Sequence, residues 1–193
     1  DSSKEKIGAI LQNGMKPSLT SHAITTQGEG GSFWLGPYSS GLTGIMSPYA
    51  NATNTILLAG GAAATSVFQD YDTIFGTFPP TAMYLAQAIE ALAKAGASSA
   101  AAVWEDASFT RGVCAALPSL AEQYGLEVKS MVEVVSGPTA SDLDPVAMNL
   151  SATDANPDVV VTCVYDSGCN EWIASLRRAN WSPRAQVFTV CIG

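Results

Sequence analysis

Residues 99–135 read SAAAVWEDASFTRGVCAALPSLAEQYGLEVKSMVEVV, and their pattern decides the fold class. The opening run, 99–104, is short, small and apolar, as a strand buried on both faces requires. The turn Glu105-Asp106-Ala107-Ser108 follows. Val113, Leu117, Leu120 and Tyr124 then recur at spacings of four, three and four, which is the helical period. Gly125 is a natural helix stop. Residues 126–135 return to a strand pattern and are closed by Ser136-Gly137-Pro138. Pro118 falls inside the helical stripe, so a kink or a shortened helix is expected, since an uncompensated interior proline costs roughly 3 kcal/mol.

The same unit recurs downstream. Ser141-Asp142-Leu143-Asp144-Pro145 reads as a helix start, with proline suited to the first turn and Val146, Ala147 and Leu150 on the apolar face. Residues 158–164 form a β-branched strand. Trp172, Ile173, Leu176 and Ala179 make the next helical stripe, and 185–192 the next strand. One strand and one helix per roughly 30 residues is the spacing of right-handed βαβ units around a parallel sheet.

Upstream the scheme is less regular. Strands are expected at 33–36, 55–59 and 73–78, with helices at about 42–50 and 81–95. The second helix carries Leu85, Ile89, Leu92 and Ala93 on one face and Gly96 as its C-cap. Residues 4–12 fit a helix, and Gly28-Glu29-Gly30-Gly31 a flexible approach to the first strand. The fold class is α/β.

Composition narrows the function classes. Hydrophobic residues make up 47% of the 193-residue chain and charged ones 13%, the balance of a packed globular protein rather than a disordered one. The net charge of −8, from 17 acidic and 9 basic residues, argues against nucleic acid, whose phosphates need clustered Lys and Arg. No apolar run reaches the ~18 residues that a membrane span needs. Any signal peptide is expected outside this stretch, because no charged-then-apolar leader opens it. Asn51 and Asn149 head Asn-x-Ser/Thr triplets and are candidate glycosylation acceptors; Asn180 heads a third, followed by Pro183. Cys163 and Cys169 bracket a short turn-rich loop that a disulfide would close, against four buried free thiols as the plain alternative. No metal site is expected, since His22 is the only histidine and no Cys-x-x-Cys occurs. No cofactor is expected either: Gly28–Gly31 lacks the lysine of a phosphate loop, and Gly60-Gly61 lacks a Rossmann fingerprint.

Gly36-Pro37-Tyr38-Ser39-Ser40-Gly41 resembles the Gly-Pro-x-Ser-Ser turn of type I periplasmic binding proteins, the family of branched-chain amino-acid-binding proteins and of several receptor ligand-binding regions. The likeness continues in order. Residues 56–63 are similar to the family's apolar strand and small-residue turn, and 74–80 to its Phe-Arg segment, with Gly76 where arginine is usual. Residues 103–112 resemble the first strand and turn of the second lobe, with Phe109-Thr110 in place of Tyr-Gly. Residues 158–165 resemble the following ligand-facing strand, and Ala179-Asn180-Trp181 stands where Arg-x-x-Gly is usual. The resemblance implies two doubly wound, Rossmann-like lobes with parallel sheets, incomplete at both ends, with residues 1–96 in the first lobe and 97–193 in the second. The end of the chain at a strand is expected to mark a portion of something longer.

Ligands of open α/β sheets sit beyond the carboxyl ends of the strands. The resemblance places Tyr38, Ser39, Ser40, Gly61, Ala62, Ala63 and Thr65 there in the first lobe. Ser40 would bond a ligand carboxylate, and the family's hydroxyl position falls on Ala64 or Thr65. In the second lobe it places Trp104, Glu105, Asp106, Phe109, Tyr165 and Asp166, where Phe109 would close over an apolar side chain and Asp166 hold an ammonium group. Arg111 would cover the same rim. The bland readings are a turn and helix cap for Ser39 and Ser40, a helix cap for Glu105 and Asp106, and a solvent position for Arg111. The expected function is a non-enzymatic module, extracellular or periplasmic, holding a small amino-acid-like ligand between its lobes. The alternatives are a structural or adhesion domain without ligand and an α/β hydrolase. A small molecule is the expected partner, without nucleic acid or direct membrane insertion. A homodimer and a larger receptor chain are the assemblies left open.

Overall fold

The computed structural model describes residues 33–152, 154 and 156–191. Two compact units divide between Pro80 and Thr81. The helix expected at 4–12, His22, the glycine run at 28–31 and the last two residues lie outside the described residues.

The first unit is a parallel sheet of three short strands, β1 (Phe33–Leu35), β2 (Ile56–Ala59) and β3 (Ile74–Gly76), in that spatial order. Helix α1 (Ser40–Ala52) connects the first two. A single 3-10 turn, Thr65–Val67, takes the place of a helix between the second and third. Alternation along the strands sends Trp34, Leu57 and Ile74 inward, where Met46 and Ala50 of α1 meet them. Ser47 Oγ donates to the carbonyls of Thr43 and Val67 at 2.9 and 3.0 Å, tying α1 to the 3-10 turn.

The second unit opens with the 3-10 turn Thr81–Met83 and helix α2 (Ala86–Lys94). The single helix expected over 81–95 is thus divided, and both pieces pack with the second sheet, around Leu85 and Ile89. Four parallel strands follow: β4 (Ser99–Glu105), β5 (Glu127–Val134), β6 (Val159–Cys163) and β7 (Ala185–Phe188), in the order β5-β4-β6-β7. Helices α2, α3 (Ser108–Cys114) and α4 (Leu117–Tyr124) cover the face carrying Ala100, Ala102, Val159 and Val161. Helices α5 (Ala140–Ser151) and α6 (Asp166–Arg178) cover the other, with Ala101, Val103, Val160 and Trp172. This is the doubly wound α/β arrangement expected from the sequence.

Pro118 acts as its position demands. The helical stripe breaks at Ala115–Ala116, and Pro118 becomes part of the first turn of α4, where its missing N–H has no carbonyl to lose. Pro145 differs from expectation. Thr139 caps α5 through a reciprocal box with Asp142, so the helix begins at Ala140 and Pro145 lies inside it. Gly96 and Gly125 follow α2 and α4 in left-handed conformations, φ 86° and 73°, as C-capping glycines do. Arg184 donates to the carbonyls of Ala95 and Gly96 at 2.7 and 2.8 Å. Asp158 accepts from the Ser98 N–H at 2.7 Å and its hydroxyl at 2.8 Å. The starts of β4, β6 and β7 are therefore stitched together.

The disulfide expected between Cys163 and Cys169 does not form: Cys169 is bonded to Cys191, with Cα atoms 5.7 Å apart. Strand alternation is the reason. Cys163 points to the face shared by Val159, Val161 and Cys114, whereas Cys169 sits on α6, which covers the opposite face. Asn51 and Asn149 are exposed, on α1 and α5.

Candidate functional site

In the first unit the expected residues gather at the carboxyl ends of β1 and β2. The Gly36 N–H donates to Leu58 O at 2.8 Å and the Ser39 N–H to Gly61 O at 3.1 Å. These bonds zip the two loops together as far as a lone bridge between Tyr38 and Gly61. Gly61 is required here, because a Cβ would lie 2.4 Å from the Tyr38 ring and 2.9 Å from its Cα. Tyr38 itself is 80% exposed.

Ser39 is the N-cap of α1, its Oγ accepting the Leu42 N–H at 3.2 Å. Its backbone has φ 117° and ψ 149°, a strained region that a residue with a Cβ rarely occupies. Ser40 is buried, and its Oγ accepts the N–H groups of Ala63 and Ala64 at 3.1 and 3.0 Å. Its acceptor capacity is thereby engaged within the protein, holding the small-residue turn against α1. Helix geometry leaves the N–H groups of Ser40 and Gly41 without intrahelical partners, at the positive end of the α1 dipole. Ala62, Ala63 and Ala64 are buried and Thr65 is exposed, heading the 3-10 turn.

In the second unit, β4 feeds helices on one face while β6 feeds α6 on the other, so the chain parts between these two strands. A crevice at such a switch point, beyond the carboxyl ends, is where open α/β sheets bind ligands. Glu105 and Tyr165 stand there, one at the end of β4 and the other at the N-cap of α6. The Glu105 carboxylate is buried. Its Oε2 accepts the Tyr165 N–H at 2.8 Å and its Oε1 the Ser136 hydroxyl at 3.3 Å. One carboxylate thus joins the loops after β4, β5 and β6.

The helix-cap reading of Glu105 and Asp106 does not hold, since the α3 N-cap is Ala107, without a side-chain cap. Asp106 instead pairs with Arg111 at 2.6 Å, and Arg111 also pairs with Glu133. Those two acidic neighbours, Glu133 first, raise the guanidinium pKa further. Phe109 is partly buried against the α3 side of the core, its ring edge-to-face with Tyr84 at 5.2 Å. Trp104 Nε1 is a buried donor without a partner among the described residues. Tyr165 is 38% exposed and Asp166 exposed. The sequence reading missed Ser136 and Glu133. Ser136 was legible only as a turn residue, and Glu133 only as an outward position on a strand.

Two parallel-sheet units in series, each with polar and small residues at its strand tips, define the periplasmic-binding-protein type I architecture. The chain belongs to the periplasmic binding protein family, whose profile matches residues 14–193. Solved structures of similar fold include an ABC-transporter solute-binding protein from Rhodopseudomonas palustris BisB5 in complex with 3,4-dihydroxybenzoic acid. It is 15% identical, with a TM-score of 0.69 over 87% of this chain and 46% of that one. A second solute-binding protein from R. palustris, in complex with 4-hydroxybenzoate, is 15% identical, with a TM-score of 0.68 over 96% and 46%. A substrate-binding protein from Desulfitobacterium hafniense, in complex with Leu, is 14% identical, with a TM-score of 0.64 over 92% and 48%. The chain therefore spans about half the length of these relatives. No curated protein matches it.

Proposed function

We propose that this chain forms part of a non-enzymatic solute-binding module that takes a small organic acid. Amino-acid-like and aromatic carboxylates are the favoured class. The observation that carries the reading is the N-terminus of α1. It combines the N–H groups of Ser40 and Gly41, without a partner among the described residues, the strained Ser39 turn and a neighbouring turn of small residues. Helix N-termini of this kind attract carboxylates, and backbone strain concentrates where a ligand is clamped. The complexes with Leu and with hydroxybenzoates in proteins of the same fold support the carboxylate. In the second unit taken by itself, Tyr165 and Asp166 at the switch-point crevice offer an aromatic edge and an acceptor for an ammonium group. Phe109, packed on Tyr84, would back that wall.

The Cys169–Cys191 disulfide supports a compartment outside the reducing cytosol, periplasmic or extracellular.

A second reading is a structural domain of the same fold without ligand. It is favoured by one observation: the Ser40 hydroxyl and the Glu105 carboxylate both take their hydrogen bonds from within the protein. Titration of the full-length protein with leucine, other amino acids and hydroxybenzoates separates the two. Saturable heat and a raised unfolding temperature are expected for at least one carboxylate, about 2.7 kcal/mol of stabilisation at a hundredfold excess over Kd. A flat response across the panel would establish the structural reading instead.

A further inference from the structure

Cys114 is the last residue of α3 and Cys163 the last of β6. Both side chains are fully buried in one apolar cluster, with Val113, Leu117 and Val161 around them. Their sulfurs lie 2.6 Å apart across a sequence separation of 49. Unbonded carbon atoms pack no closer than about 3.5 Å, and sulfur is larger than carbon. No cluster of three or more His, Cys, Asp or Glu side chains that could hold a metal ion occurs among the described residues. The other two cysteines of the chain are already joined to each other.

We propose that Cys114 and Cys163 close as a second disulfide, one that pins α3 to the strand running through the middle of the second sheet. The reaction is oxidation of two thiols to one S–S bond with loss of two protons and two electrons. The electrons pass to a disulfide-bearing oxidant, either a small-molecule disulfide or a thiol oxidoreductase, which leaves as two thiols. A thiolate of one cysteine attacks the oxidant to give a mixed disulfide, and the second thiolate displaces it. Both sulfurs are fully buried, out of reach of an oxidant in the finished core; the facing sulfur and burial also push the Cys114 thiol above its ordinary pKa. The bond must therefore form while the chain folds, before α3 seats on the sheet. Once closed, it is sealed from reductants. This disulfide restrains the unfolded chain over a loop more than twice the length of the one that Cys169 and Cys191 close.

The test uses the full chain, refolded in a glutathione buffer and then denatured in iodoacetamide without reductant. Trypsin together with a protease cutting before aspartate separates residues 112–129, 158–165 and 166–177, so that each fragment holds one cysteine. The expected product is a cross-linked pair of 112–129 with 158–165, with no alkylated cysteine anywhere. Alkylation of both Cys114 and Cys163 beside an intact Cys169–Cys191 bond would overturn the proposal. A cross-link of either cysteine to Cys169 or Cys191 would overturn it equally.

Discussion

At the scale of single residues, the informative question is what each polar side chain has already spent its hydrogen bonds on. Ser40 was legible as a helix-start serine in a familiar turn. That its oxygen faces two backbone N–H groups from a turn more than twenty residues away is set by packing, which no local pattern encodes. Removing that oxygen strands two buried donors, each worth about 1–3 kcal/mol. Ser40→Ala should therefore lower the unfolding temperature by roughly 2–4 °C per kcal/mol lost, read by circular dichroism. An unchanged midpoint would mean that the turn finds other partners. Glu105 makes the same point in the second unit. Glu105→Ala removes an acceptor of two bonds, so a loss of about 1–3 kcal/mol is expected in denaturant unfolding. Glu105→Gln keeps one acceptor and should lose about half of that.

Elements were the most legible scale, and the prolines show why and where legibility stops. Pro118 inside an apolar stripe told of a kink or a shortened helix, and the chain resolves it as two helices, α3 and α4, with the proline in the first turn of the second. Pro145 was placed in a first turn because Ser141 looked like the start. The Thr139–Asp142 box instead puts the cap at Thr139 and the first helical residue at Ala140, and only the bonds that the Thr139 N–H and hydroxyl donate to the Asp142 carboxylate reveal it. The two prolines should therefore respond differently. Pro118→Ala should change stability by under about 1 kcal/mol, since no backbone bond is regained. Pro145→Ala restores an interior N–H for the Ser141 carbonyl and should stabilise by up to about 3 kcal/mol, less the ~0.4–1 kcal/mol of unfolded-state entropy that proline withholds. Chemical denaturation of the two variants compares them directly.

The carboxylates at the element ends also make stability depend on pH. Hydrogen bonds from the backbone and hydroxyl of Ser98 hold Asp158 below the ordinary carboxylate range. Thr139 does the same for Asp142, and Arg178 for Asp144. Each native pKa lies below its unfolded value, so this stability is complete above the unfolded value of about 3.9. It is lost as pH falls through the native values, because the unfolded chain binds protons first. Unfolding temperature should be flat from pH 7 to 5 and fall steeply below 4. Asp158→Asn should make the acid limb shallower.

For the whole molecule, the two units differ in how well their sheets are enclosed, and that difference sets which opens first. In the second unit β4 is flanked by β5 and β6 and covered on both faces, with Ala100–Val103 fully buried and Val159–Val161 beside them. Amides there can exchange only when the unit unfolds as a whole. Among the described residues, the first sheet has three short strands and elements packed on one face. Its other face presents Phe33, Leu35, Ile56, Leu58 and Phe75, from 36% to 72% exposed. Fewer apolar contacts are lost when those strands separate, so opening demands less free energy. Hydrogen exchange read by mass spectrometry should find peptides spanning β1–β3 exchanging at least about tenfold faster than those spanning β4 and β6, a gap of about 1.4 kcal/mol or more. A carboxylate held at the α1 N-terminus should slow β1 and β2 in particular, because it binds the loops that those strands carry. Equal protection of both sheets without ligand would show that the exposed apolar face is not the weak point, and that the two units unfold together.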